Sequence, residues 1–291
     1  SVFSPFDILP AMEYRRFGKT NLNVSVINLG TMRYKHVWDK PADEIPKDTI
    51  EQCITGLQLA LKNGINLIET AYGYTKSEHC LGLVLNNELG IPRDKYYIMT
   101  KGHDFSAADT REMVEKQLKA LKTDKLEFYA WHGINNRELF NKSCKKGGPV
   151  EELLKLKEEG VIDNVGFSTH GPLEVICKAI ETGFFSFVNL HYYYFFQRNY
   201  GAIAMAEARD MGVLIISPND KGGQLFSPPP VLTRLTFPYT PVQWNARFCL
   251  SRPAVHTLAF GITEPEQFEE IRGIFPTSIP LTMDDQEIKH N

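Results

Sequence analysis

The chain has 291 residues, 43% hydrophobic and 23% charged, an ordinary balance for one large globular domain. Its net charge of −3 gives no pull toward nucleic acid or anionic lipid, and no run approaches the roughly 20 apolar residues of a membrane-spanning helix. Five scattered cysteines without a CxxC pair argue against a zinc ribbon and suit a reducing, cytoplasmic compartment.

In chain order, residues 1–12 read as an extension, with Met12 a candidate start, and 13–291 as a single domain. YRRFGKTNLNVS (14–25) has two short polar–apolar runs around Lys19-Thr20-Asn21, which predicts a hairpin. Eight short β-rich runs follow: 26–30, 65–69, 96–100, 126–131, 164–168, 186–190, 213–217 and 256–260. Most are apolar on successive positions, as parallel strands buried on both faces require.

Helical patterns lie between them. In 49–63, Ile50, Cys53, Ile54, Leu57 and Leu61 share one face and Gly64 stops it. In 110–121, Asp109 is the expected cap with Glu112 reaching back, before Val114, Leu118 and Leu121. Pro149 and Gly160 bracket the helix 149–159. Further helices are expected at 172–182, 200–211 and 265–273, the last opened by Pro265. The segment 222–240, with four prolines, predicts a loop after the seventh strand. Eightfold strand–helix alternation is the pattern of an α/β protein built as a (β/α)8 TIM barrel, with the N-terminal β-hairpin plugging its N-terminal end.

Barrel sites lie at the C-terminal ends of the strands. There the sequence puts Glu69 and Tyr74 after the second strand, Lys101 after the third and His132 after the fourth. Each alone is ordinary: a surface charge, a packed ring, a core histidine. At three successive strand ends they predict one proton-handling site.

The stretches MEYRRFGKTNLNVSVINLGTM, GINLIETAYGY with SEHCLG, YIMTKG, LEFYAWH, VGFSTH and VLIISPNDKGG resemble the aldo-keto reductases in order and spacing, from about Glu13 to the end. The chain is most similar to a bacterial predicted-oxidoreductase branch, some members of which carry a ferredoxin-like tail; the sequence reaches Asn291 without one, so the tail is either lacking or has been truncated. The resemblance implies hydride transfer from a nicotinamide to an aldehyde or ketone. It makes Tyr74 the general acid, Lys101 its amine partner, His132 the histidine that orients the carbonyl, and Glu69 the carboxylate that holds the amine. Glu69 stands where the family has Asp, one methylene shorter, and Tyr72 is a rival phenol two residues before Tyr74.

The resemblance also implies a cofactor laid over the barrel mouth without a GxGxxG turn. It would border Gly30, Thr31 and Met32, take its carboxamide contacts from Ser168 and Asn189, and lie along Ser217, Asn219, Lys221, Gly261 and Gln267. Several positions depart from the family pattern: Thr169 for Asn, Asn189 for Gln, Ile216 for a stacking aromatic, and no Lys or Arg pair after the eighth strand. NADP(H) is the expectation on family grounds, with NAD(H) the alternative. The helix opening at Thr263–Pro265 offers N–H groups for a phosphate.

Tyr192, Tyr193, Tyr194, Phe195 and Phe196, with Trp38, Phe105 and Phe226, read either as packing over the rim or as the wall for a small apolar or aromatic carbonyl substrate. Two other functions fit the sequence less well. One is a non-catalytic nucleotide-binding barrel, favoured by the departures above. The other is a metal-dependent hydrolase using His132, His170, His191 and Glu69.

Overall fold

All eight apolar runs become parallel strands of one closed barrel in a computed structural model that describes residues 12–290. The expected extension, Met12 apart, lies outside the described residues. The strands are β3 (Ile27–Gly30), β4 (Leu67–Glu69), β5 (Tyr97–Gly102), β6 (Leu126–His132), β7 (Ile162–Ser168), β8 (Phe187–Leu190), β9 (Gly212–Ile215) and β10 (Thr257–Gly261), and β10 closes on β3. They follow an antiparallel hairpin, β1 (Tyr14–Arg16) and β2 (Asn23–Ser25). The helices are α1 (Lys47–Lys62), α2 (Ser77–Leu83), α3 (Ala107–Leu121), α4 (Arg137–Cys144), α5 (Pro149–Glu158), α6 (Leu173–Glu181), α7 (Tyr200–Ala208), α8 (Pro230–Thr236), α9 (Pro241–Leu250), α10 (Pro265–Arg272) and α11 (Met283–His290).

Alternation along each strand divides the core in two. Leu67, Met99, Phe128, Ala130, Phe187 and Leu214 pack inside the barrel with Phe17 and Val24 of the hairpin. Ile68, Ile98, Tyr129, Trp131, Val188 and Val213 pack outward against the helices. Phe17 is the plug: its ring meets Phe128 edge-on at 5.4 Å, Phe187 at 5.6 Å and His256 at 5.6 Å. Gly212 makes room for it, since a Cβ there would stand 2.7 Å from the ring.

Two local expectations need correction. The helix predicted from 110 begins at Ala107, because Ser106, in extended conformation, accepts from Asp109 N at 3.0 Å and takes the cap that Asp109 was expected to supply. The proline-rich stretch 222–240 is not a continuous loop. Pro230 opens α8, where its missing N–H costs nothing, and Thr240 and Gln243 form a capping box that starts α9. Among the described residues no helix is long and apolar enough to cross a membrane.

Candidate active site

The same alternation aims the site. Two residues beyond inward-facing Leu67, Met99 and Ala130 come Glu69, Lys101 and His132, so all three point into the C-terminal mouth. Glu69 and Lys101 are 4% and 2% exposed and form an ion pair. Lys101 Nζ also donates to the Thr70 carbonyl at 2.9 Å. The longer reach of Glu69 is therefore taken up within the site, and its carboxylate still meets the amine. Burial pushes the Lys101 amine down to about 7, while the touching carboxylate acts in the opposite sense.

Tyr74 stands on the turn between β4 and α2. Lys101 Nζ is 5.0 Å from its ring centroid, and the His132 and Trp38 rings meet it edge-on at 6.3 and 5.7 Å. Tyr72, the rival phenol, is 49% exposed. A neighbouring ammonium lowers a phenol's pKa, yet burial wins here and pushes Tyr74 up to about 12. His132 is pushed down to about 3, by burial first and then by the charges of Lys101, His103 and His170. At neutral pH the site thus holds a protonated phenol beside a neutral imidazole. His103 lies 6.1 Å from His132 and 5.9 Å from Phe105, ring to ring, extending the aromatic wall from Trp38 across the mouth.

The expected cofactor positions are spread around the same mouth. Ser168 ends β7 in register with His132 on one side and Asn189 on the other. Asn189 is fully buried, donates to Met99 Sδ at 3.2 Å, and leaves its Oδ1 without a partner. Asn219 is buried with its Oδ1 likewise unpartnered, while Ser217 and Lys221 are exposed. Orphaned amide oxygens around a mouth suit a ligand with N–H or O–H donors. Gly30 ends β3 at the mouth and Met32 lies two residues on, but the Thr31 hydroxyl between them is committed to the Glu69 carbonyl and Ser77, behind the mouth.

Gly261 is crossed by Arg33: a Cβ there would meet Arg33 Cγ at 3.1 Å. Arg33, which no local sequence signal marks, thus brings a cation to the edge where the strand-eight cations are missing. Gln267 caps its own helix, accepting from Thr263 N at 2.8 Å and Glu264 N at 3.2 Å, so those N–H groups are taken and an anion at the α10 start would meet Glu264 instead.

Other expectations come apart here. His170 and His191 pair with each other at 2.7 Å, whereas His132 faces Tyr74 and His103. Among the described residues no three His, Cys, Asp or Glu come together as a metal site. The aromatic run after β8 is mostly packing. Tyr192 stacks on Phe248 and receives Arg252 Nε at 3.0 Å, and Tyr194 packs on Trp244. Phe196 reaches His191, and Phe195 is exposed.

The profile of the Aldo/keto reductase family matches residues 26–225, from the first barrel strand to beyond the seventh. The chain belongs to the aldo/keto reductase family. It is similar to the uncharacterized oxidoreductase YrpG of Bacillus subtilis, 26% identical over 242 residues that cover 74% of this chain and 68% of the relative. In fold it is similar to a holo-form aldo-keto reductase from Bacillus halodurans, at 22% identity and a TM-score of 0.78, covering 96% of each chain. A Klebsiella pneumoniae aldo-keto reductase in complex with NADPH gives 18% identity and 0.74, covering 96% of this chain and 95% of that one. This family is one of oxidoreductases that use nicotinamide cofactors.

Proposed function

We propose that this protein reduces an aldehyde or ketone to the alcohol with NADPH. The observation that carries this reading is the convergence of Tyr74, His132 and the Lys101–Glu69 pair at one barrel mouth. Ser168, Asn189, Asn219 and Lys221, with Gly30 and Met32 at the rim, would hold the cofactor, and its nicotinamide when bound supplies the hydride to the carbonyl carbon. Arg33 across Gly261 favours NADPH over NADH, since a guanidinium suits a 2′-phosphate.

Tyr74 donates its proton to the carbonyl oxygen as negative charge builds there, so its bond to that oxygen strengthens toward the transition state. Lys101 steadies the charge left on the phenol, and Glu69 keeps the amine in place. His132, neutral, orients the carbonyl by a hydrogen bond. Trp38, Phe105 and His103 offer ring faces and edges to an apolar or aromatic substrate. We place the protein in the cytoplasm, in line with its five free cysteines.

The test is consumption of NADPH, and separately NADH, with 4-nitrobenzaldehyde. Turnover with a preference for NADPH is expected. Tight cofactor binding without turnover of any aldehyde or ketone would replace this reading with that of a nucleotide-binding barrel.

A further inference from the structure

Directly behind the mouth lies a second polar cluster, on the outer face of the barrel. It is centred on Ser77 and Glu78, the first two residues of α2, both buried. Glu78 Oε1 accepts from the Thr100 hydroxyl and from Gln117 Nε2 at 2.6 Å. Gln117, on α3, also donates to the Lys101 carbonyl at 3.2 Å and accepts from the Tyr129 hydroxyl at 2.7 Å. One carboxyl thus ties α2 to the strand residue next to Lys101, and through Gln117 to Lys101 itself.

Ser77 does the same one strand over. The Thr31 hydroxyl donates to the Glu69 carbonyl at 2.9 Å, so its 2.7 Å bond with Ser77 has Ser77 as donor. Ser77 must then accept from Thr70 at 2.8 Å. Thr70 is the residue whose carbonyl holds the Lys101 amine. The turn bearing Tyr74 is fixed from the same point: Ser77 N donates to the Tyr74 carbonyl at 2.8 Å, and Tyr72 N to the Lys101 carbonyl at 2.8 Å.

A buried carboxyl is a costly way to hold a helix to a sheet. Burial pushes Glu78 up to about 7, against the two hydrogen bonds, which pull it down. The location makes sense of the cost, because this carboxyl spans the two elements that carry the reacting phenol and its amine.

We infer that Glu78 is a positioning residue for the Tyr74–Lys101 pair, locking the turn that carries the phenol to the strand that carries the amine, with Ser77, its neighbour on α2, making the matching tie to Thr70 just past β4. The inference rests on the carbonyl-reductase reading for its kinetic consequence, though not for its geometry.

The test compares Glu78→Ala with Glu78→Gln, whose amide oxygen accepts the same two hydrogen bonds. Glu78→Ala is expected to lower kcat about tenfold or more with NADPH affinity, read by fluorescence titration, unchanged; Glu78→Gln returns kcat to within about threefold. Ser77→Ala gives the same split and serves where Glu78→Ala fails to fold. A second readout needs no turnover: the ¹⁵N NMR titration of Lys101 Nζ, assigned with Lys101→Met. Glu78→Ala, or Ser77→Ala in its place, should move that midpoint by about one pH unit, and Glu78→Gln should leave it near wild type. An unmoved midpoint and an unchanged kcat in a folded variant overturn the inference, as does a Gln variant as impaired as the Ala variant. A wild-type protein that turns over no carbonyl while its Lys101 midpoint responds to Glu78→Ala overturns the proposed function and leaves the positioning role standing.

Discussion

Lys101 and Glu69 occupy adjacent strands, β5 and β4, and meet as an ion pair almost sealed from water, with the Thr70 carbonyl as a further acceptor for the amine. Removing one partner of such a pair leaves an uncompensated buried charge, which costs about 3–5 kcal/mol. Glu69→Gln should lower stability by that order in urea unfolding. The double variant Glu69→Gln/Lys101→Met, with no charge left to bury, should recover much of the loss. A single variant as stable as wild type would show that the pair is not sealed.

Tyr74 and Tyr72 make opposite predictions. Tyr74 touches Lys101 and His132 and, at a pKa of about 12, keeps its proton throughout the neutral range. Tyr74→Phe should lower kcat about 10²–10⁴-fold, the usual contribution of a general acid, with cofactor affinity unchanged. Tyr72→Phe should leave turnover as it was, because that ring faces solvent. Steady-state rates with one aldehyde and a cofactor titration on each variant decide between the two phenols.

The sequence made the barrel legible because its signals are local and repeated. Each strand is a short apolar run, and the helices at 49–63 and 110–121 carry an apolar stripe of their own. Glu69, Lys101 and His132 were legible for a related reason, since strand ends are fixed by the same runs and alternation sets their direction. What stayed hidden depends on contacts distant in sequence. Arg33 lies across Gly261 only because β10 closes on β3. Ser77 and Glu78 take on a role only when α3 and β6 bring Gln117 and Tyr129 to them. The aromatic run at 192–196 was ambiguous because α9, which supplies Trp244 and Phe248 as its partners, was itself missed. The rise of the Tyr74 pKa stayed hidden as well, because a neighbouring ammonium is visible in sequence and burial is not.

Three histidines should make the fold acid-labile. Burial is the leading cause in each case, holding His132 at about 3 and His191 and His256 at about 4; the Val213 amide, donating to His256 Nδ1 at 3.0 Å, also keeps that lone pair occupied. Folded values below the ordinary 6.5 mean that the unfolded chain binds protons first, so the stability present above about 6.5 is lost as pH falls toward 4. Glu78 works the other way: raised to about 7, it adds stability at low pH that is lost as pH rises from about 4.5. Three rings outweigh one carboxyl, and Tm should drop by on the order of several degrees between pH 6.5 and 4.5. His256→Gln should make that slope shallower; a Tm independent of pH in this window would contradict the buried, neutral state of these rings.

The plug gives a prediction that separates stability from chemistry. Phe17 is fully buried against Phe128, Phe187 and His256 at the barrel's N-terminal end, whereas the Tyr74 constellation lies at the C-terminal end. Phe17→Ala removes a large ring from a closed interior whose strands, being hydrogen-bonded on both sides, cannot readily collapse onto the gap. A loss of about 3–5 kcal/mol is expected from the cavity left behind. Denaturant unfolding should show the lower midpoint at an unchanged slope, while kcat and KM measured well below the new midpoint stay at wild-type values. A variant that instead lost activity without losing stability would mean that the hairpin communicates with the mouth through the barrel interior.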